Sequence, residues 1–262
     1  MALIQCPECG GKLSDLAKIC VHCGYPIAEI NAKKAARLKA FKTIGEIVTF
    51  GTYSKEADGL DQTPIEWFVL EYNGANNQAL LLSRYGLDAK PYHYEQNKQI
   101  TWETCSLRSW LNNDFLCKAF TAEEQSAILT TTVDNGYEQL YSRFDPSCQW
   151  NPSGGNNTQD KVFLISCAEA NNYLGVTYRY LNADYNDSKD TISRLAPTEY
   201  ARKQGAYSYL TPGGRRAIWW LRSPGTSQYS AAVVRIDGSL FPNNASHDNI
   251  CVRPAIWIKC ST

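Results

Sequence analysis

The chain has 262 residues, 44% hydrophobic and 20% charged, an ordinary globular composition that excludes global disorder. Lys+Arg and Asp+Glu each number 26, so the net charge is zero, which argues against a protein built to coat nucleic acid. No stretch approaches the ~18–20 apolar residues of a membrane span, and the opening MALIQCPECGG lacks the basic and apolar regions of a signal peptide. We therefore expect a cytoplasmic protein with no membrane partner.

The first pattern along the chain is C-x2-C-x10-C-x2-C, formed by Cys6, Cys9, Cys20 and Cys23. A two-residue spacer lets both thiolates of a pair face one ion. The glycines that follow, Gly10 and Gly24, let the backbone curl so that amides point at sulfur. Four thiolates make a closed tetrahedral shell, as in structural Zn2+ sites. The inner spacer is short for this pattern but can hold a small hairpin. Residues 1–26 read as a zinc ribbon, similar to the short ribbons at the N-termini of many bacterial proteins. Too short to build a core, the ribbon would draw its folding energy from zinc, roughly 10–16 kcal/mol of apparent binding. His22 lies inside the second knuckle and is expected to be a solvated bystander. The other six cysteines show no close pairing and read as buried small hydrophobes.

Residues 27–43 read as a basic helical linker, with Lys33, Lys34, Arg37, Lys39 and Lys42 on a solvated face. The texture then changes, and residues 44–262 read as one large domain. Strands are expected over 44–51, 65–70 and 79–83, the last two joined by an Asn/Gly turn. Ser106–Phe120 reads as a helix with Leu107, Trp110, Leu111, Phe115 and Leu116 on one face, and Thr121 starts a second helix to about Leu129. Residues 142–160 read as a long loop, 161–166 as a strand and 168–174 as a short helix. Residues 182–215 read as mostly irregular, with a helix near 197–204. Strands follow at 218–224 and 231–236, Asp237-Gly238 makes a hairpin turn, and a strand restarts at 239–241. Residues 242–250 read as a polar loop, and 251–259 as a closing strand with Pro254 at an edge or bulge. Local strands, few helices and long loops indicate an α+β fold.

No phosphate loop, dinucleotide fingerprint, HExxH or nucleophile elbow is present, and there are only three histidines, His22, His93 and His247. We expect no enzyme. The polar segments GTSQYS (225–230) and PNNASHDN (242–249) carry the vocabulary of adaptable recognition loops. Composition alone favours plain solvated turns there.

A resemblance shifts that balance. GEIVTFGTY (45–53), PIEWFVL (64–70), SLRSWLNNDF (106–115), VFLISCAE (162–169), WWLRSPG (219–225) and VRPA (252–255) resemble, in this order, a bacterial C-type-lectin-like domain family. It is similar to the fold of formylglycine-generating enzymes and of the variable proteins of diversity-generating retroelements. The resemblance implies a fixed frame of Trp220, Leu221, Arg222, Ser223, Pro224, Ala231, Ala232, Val233, Gly238, Val252, Arg253, Pro254 and Ala255. It implies a ligand surface among Thr226, Ser227, Gln228, Tyr229, Ser230, Arg235, Asp237, Ser239, Phe241, Asn243, Asn244, Ser246, His247, Asp248 and Asn249. Cys251 departs from such frames, which usually have Gly there. The implied function is binding of a protein or other macromolecular ligand through the C-terminal surface. The charge balance disfavours nucleic acid, and no calcium is expected because Asp237 and Asp248 alone make no acidic cluster.

Two alternatives stand beside this reading. One is a formylglycine-generating-type oxidative enzyme, which needs a close pair of copper-binding cysteines; Cys251 and Cys260 are the nearest, and on one continuous strand they would face opposite ways. The other makes the ribbon and basic helix an adaptor for nucleic acid or protein.

Overall fold

A computed structural model describes residues 3–14, 17–145, 147–178 and 192–260 of the chain. At the N-terminus β1 (Leu3–Gln5) and β2 (Lys12–Ser14) pair antiparallel, with Leu3 opposite Ser14. Helix α1 (Ile27–Phe41) follows directly, and the Ala28 amide donates to the Lys18 carbonyl at 3.0 Å. Glu29 in its first turn and Lys39 in its last suit the helix dipole. Arg37, Lys39 and Lys42 are exposed, as expected, and two of them also touch the domain. Arg37 donates to the Thr49 carbonyl at 3.3 Å, and the Lys42 ammonium lies 5.7 Å from the centre of the Tyr72 ring. The side chains of Lys33 and Lys34 lie outside the described set.

The domain then lays down β3 (Ile47–Tyr53), β4 (Thr63–Asn73), β5 (Gln78–Ser83), β6 (Tyr85–Gly86) and β7 (Asp88–Ala89). Strand β3 begins three residues later than the sequence suggests, because Thr43–Glu46 turns, with Gly45 at φ +87°. The expected helix from 106 is continuous to 119 but not uniform: α2 (Ser106–Trp110) widens into a π turn at Leu111–Phe115 and closes as α3 (Leu116–Ala119). Helix α4 (Ala122–Ala127) starts on the Thr121–Glu124 capping box that its sequence predicts. Next come β8 (Thr131–Val133), β9 (Thr158–Asp160), β10 (Val162–Phe163) and α5 (Cys167–Leu174), the helix capped by Ser166 and Glu169. Expectations for 182–191 fall outside the described residues. Beyond them lie β11 (Ala196–Pro197) and α6 (Glu199–Lys203), then the hairpin β12 (Ser208–Thr211) and β13 (Gly214–Ala217), where the sequence suggested irregular chain. The chain ends with β14 (Trp219–Pro224), β15 (Ser230–Val234), β16 (Leu240–Asn244), β17 (Cys251–Val252) and β18 (Ala255–Lys259).

Two five-stranded sheets organise the domain. The first is antiparallel throughout, in the order β10-β18-β5-β4-β3. Its central strand β5 reads Gln-Ala-Leu-Leu-Leu-Ser and is buried from Ala79 to Ser83, as a strand covered on both faces should be. Strands β3 and β4 alternate, turning Val48, Phe50, Ile65, Trp67 and Val69 inward. The second sheet has the order β16-β15-β14-β17-β7, with β14 and β17 parallel. Two strand expectations are corrected here. Pro242–Asn244 belongs to β16 rather than to a loop, paired with β15 from Leu240 to Asn244. Residues 251–259 are not one strand: β17 lies in the second sheet and β18 in the first. The chain switches sheets at Arg253-Pro254, and the Pro254 carbonyl accepts from the Ser83 amide at 2.9 Å.

One hydrophobic cluster spans both sheets and the helices, and a second, of Cys6, Leu13, Cys20 and Ile27, joins the ribbon to the start of α1. Trp67, Trp102, Trp219 and Trp220 are fully buried, and each indole N–H has an acceptor: Phe50 O, Asp160 Oδ2, Ser193 O and Lys90 O. The architecture is thus mixed α and β, with several sheets and few helices. Among the described residues no helix is long and apolar enough to cross a membrane.

Candidate functional site

The two cysteine knuckles are built alike. In each, the amide of the glycine after the second cysteine donates to the carbonyl of the first: Gly10 to Cys6 and Gly24 to Cys20, both at 2.8 Å. Gly10 and Gly24 take φ of +70° and +76°, which favours glycine at both. The four sulfurs all lie within 4.8 Å of one another, with Cys6–Cys23 at 3.6 Å and Cys9–Cys20 at 3.7 Å. A tetrahedron with metal–sulfur bonds of 2.3 Å needs sulfurs roughly 3.8 Å apart, so the set fits a metal ion. Against the cost of burial, the His22 and Cys23 amides hold the Cys20 thiol down, to about 6. Although the Tyr25 amide favours its thiolate, Cys23 is pushed up to about 12 by burial and the three neighbouring sulfurs. So many thiolates cannot share this space without a cation. His22 is exposed, as expected, and its ring packs on Gly11, where a Cβ would fall 2.6 Å from Cδ2.

The second candidate is one end of the second sheet, where five loops meet. The Ala245 amide donates to Tyr229 O, the His93 amide to Ala245 O, the Ile100 amide to Gln228 O and the Tyr207 amide to Asn249 O, at 2.7–2.9 Å. Large aromatic side chains stand exposed on these loops: Tyr94 at 68%, Tyr207 at 51% and Tyr229 at 42%. Trp150, 72% exposed, stands on a fifth loop that shares a pocket with Thr226. Beneath them His93 accepts from the Ser106 amide through Nδ1 at 3.2 Å and stacks on Tyr94 at 4.9 Å. Burial holds its imidazole below the usual histidine range, hence neutral at pH 7.

The predicted ligand residues divide into two groups. Thr226, Ser227, Gln228 and Tyr229 meet Asn243, Asn244, Ser246, His247, Asp248 and Asn249 at the end just described; Tyr229, Asn244, His247, Asp248 and Asn249 are exposed and the others partly buried. Arg235, Asp237, Ser239 and Phe241 lie toward the β15–β16 turn, at the other end of a strand roughly 17 Å long. There the Arg235 guanidinium covers the Phe241 ring at 4.9 Å. Ser230 and Ser239 do not present an open face. Both are buried and spend their hydroxyls locally, Ser230 on Ser227 and Ser239 on Asp237 at 2.6 Å. Tyr94, Trp150 and Tyr207 were not singled out by sequence. Only the Pro212-Gly213 turn after Tyr207 signals a projecting element in advance.

All thirteen frame residues are buried. Arg222 shows why. It is 1% exposed, and its guanidinium pairs with both Glu169 oxygens and donates to Leu164 O at 3.0 Å and Asp134 O at 2.9 Å. Ser223 Oγ donates to Gln139 O and accepts from the Cys167 amide. Cys251 and Cys260 are buried, with the whole of β18 between them, roughly 17 Å of extended chain. Burial pushes both thiols up.

Over residues 76–260, more than half of its length, the chain matches the family described as "Domain of unknown function (DUF6273)", and it belongs to that family. No curated protein and no solved structure matches the chain. These comparisons point to no enzyme family.

Proposed function

We propose that this member of the DUF6273 family is a recognition protein that binds a macromolecular ligand, most simply another protein, through the loops around Thr226–Tyr229 and Asn244–Asn249. The observation that carries the reading is the convergence of separate loops that expose Tyr94, Trp150, Tyr207 and Tyr229 on one end of a rigid sheet. Tyr and Trp give large contact areas at low entropic cost and dominate binding energy at protein interfaces. Loops on a buried frame are the usual layout of a binding module. The frame and its order along the chain support a C-type-lectin-like domain, and the polar positions between frame residues support a variable protein of a diversity-generating retroelement. The ion of the ribbon is Zn2+, held by Cys6, Cys9, Cys20 and Cys23 in a structural role, and free thiols elsewhere suit the cytoplasm.

The test is photo-crosslinking in cells, with a benzophenone side chain at Tyr229 or, as control, at Leu60, which is 84% exposed on the β3–β4 loop. A discrete adduct from position 229 that is absent from position 60 is the expected result. Equal or absent adducts at 229 would sink the placement. A reverse-transcriptase gene beside a near-copy of codons 219–255 that differs only at adenines would establish the variable-protein reading; its absence would leave one fixed specificity.

A further inference from the structure

The edge of a sheet carries unpaired amides and carbonyls that invite another strand, and this chain closes several of its edges. On β3 the Thr49 carbonyl accepts from Arg37 at 3.3 Å. On β10 the Asn112 side chain takes both groups of Val162: Nδ2 donates to the carbonyl at 2.8 Å and Oδ1 accepts from the amide at 3.2 Å. On β16 the Leu240 amide donates to the Thr177 carbonyl at 2.9 Å. The hairpin β12–β13 differs. It is a two-stranded sheet of its own, with Thr211 opposite Gly214 and Tyr209 opposite Arg216. A two-residue turn makes Thr211 and Gly214 a hydrogen-bonded pair, and alternation makes Tyr209 and Arg216 the next. The residues between them point their amides and carbonyls outward. Ala217 shows this on β13, where its amide reaches the Leu195 carbonyl at 2.9 Å. On β12 the outward residues are Ser208 and Leu210. Among the described residues no strand pairs with that edge, and neither amide is bonded elsewhere. Residues 207–211 read Tyr-Ser-Tyr-Leu-Thr, without charge, proline or bulge, so nothing in the strand blunts it. Tyr209 is 58% exposed and Leu210 67%.

We propose that β12 is the interface of a homodimer, pairing antiparallel with β12 of a second copy across a two-fold axis beside Tyr209. The edge is complementary to itself. Ser208 set opposite Leu210 of the copy lets the two outward residues of each strand exchange both of their bonds, and the two-fold repeats the exchange. Tyr209 then faces its own copy in a non-hydrogen-bonded pair, the closer kind, where two aromatic rings pack. Another protein would have to supply this spacing, whereas a second copy has it by identity. Charge does not oppose the pairing, because the strand is uncharged and the chain has no net charge. A contact one strand wide falls short of the roughly 1,200 Å² of a stable interface, so the dimer is weak and forms with concentration. The test is sedimentation equilibrium of the full-length protein from about 5 to 500 µM, with an expected dimer Kd of about 10–100 µM. Leu210→Pro removes an outward amide and leaves the bonds of Tyr209 and Thr211 to β13 intact. Tyr209→Lys sets two ammonium groups against each other without touching the backbone. Each should weaken the dimer at least about tenfold, with the thermal midpoint of Tyr209→Lys within about 2 °C of the parent. Register is read by mild oxidation in a Cys117→Ser background, which removes an exposed thiol. Tyr209→Cys should give a covalent dimer, its Cα atoms about 4.5 Å apart, and Leu210→Cys should not, at a diagonal of about 7–8 Å. A monomer over the whole range, a dimer indifferent to both variants, or equal oxidation at both positions would overturn the proposal. It does not rest on the recognition reading, and the Tyr229 crosslink fails or succeeds separately.

Discussion

Replacing Arg222 by Met should be the most damaging single change in the domain. The side chain keeps its length and apolar stem but loses every donor. Glu169 then loses its ion pair, and the carbonyls of Leu164 and Asp134 lose their donor. Breaking a buried ion pair costs about 3–5 kcal/mol, and each stranded carbonyl about 1–3 more. Glu169 is 31% exposed, so water recovers part of its loss, and a net cost of about 4 kcal/mol is expected. With a urea slope of roughly 3 kcal/mol/M for a domain of this size, the midpoint falls by about 1.3 M. Arg222→Lys separates the two causes. Its single ammonium can hold Glu169 but cannot span both carbonyls, so it should recover less than half of the loss. The assay is equilibrium urea unfolding followed by tryptophan fluorescence. A cost under about 1 kcal/mol for Met, or wild-type stability for Lys, would show that the guanidinium hub does not hold the two sheets and α5 together.

Other expectations follow from particular contacts. Metal analysis of the purified protein should find one zinc per chain, and Cys6→Ser or a strong chelator should abolish it, collapsing residues 3–26 while the near-UV spectrum of the domain stays unchanged. Asp88 is 2% exposed; burial raises its carboxyl above the usual aspartate range, although the Tyr53 hydroxyl donates to it at 2.7 Å. A raised folded pKa means stability is full below the unfolded value of about 3.9 and falls as pH rises through the folded one. Asp88→Asn should therefore flatten that decline and raise the melting point at neutral pH, and thermal scans across pH 3.5 to 7.5 check it. Gly51 combines φ of +68° with a close approach: a Cβ there would meet the Phe120 ring at 2.5 Å and the Ala119 carbonyl at 2.7 Å. Gly51→Ala should cost about 2–4 kcal/mol, read as a fall of about 4–16 °C in the melting temperature.

Some of this was legible in the chain before any coordinates. The knuckles were, because metal chemistry fixes both residue type and spacing. So was the helix start at Thr121, whose Glu three residues on reports a capping box, whereas the same signal at Ser166 is hidden at the end of a run that reads as a strand. Two failures have one cause. The chain 251–259 and the segment 242–244 each changed assignment because strand partners come from distant sequence. Nothing local states that Cys251 pairs with Ala89 while Ala255 pairs with Leu82, or that Asn244 finds Ser230. The surface was half legible for the same reason. Polar composition marked Thr226–Tyr229 and Ser246–Asn249, but Tyr94, Trp150 and Tyr207 reach that end only through the tertiary fold. Ser230 and Ser239 look like any exposed serine until their neighbours are known.

The way the loops are tied has a consequence for change over time. Tyr229 to Ala245, Ala245 to His93, Gln228 to Ile100 and Asn249 to Tyr207 are joined through amides and carbonyls, groups that every residue but proline carries in full. Exchanging the exposed side chains among them, Tyr229, Tyr207 and Asn249, leaves the ties in place, whereas Ala245, His93 and Ile100 are buried and fixed by packing. Chemical identity and spatial position are thereby uncoupled: the same scaffold can display many different side-chain sets without being refolded for each. The ties themselves exclude proline at Ala245, His93, Ile100 and Tyr207, where the donated proton is the tie.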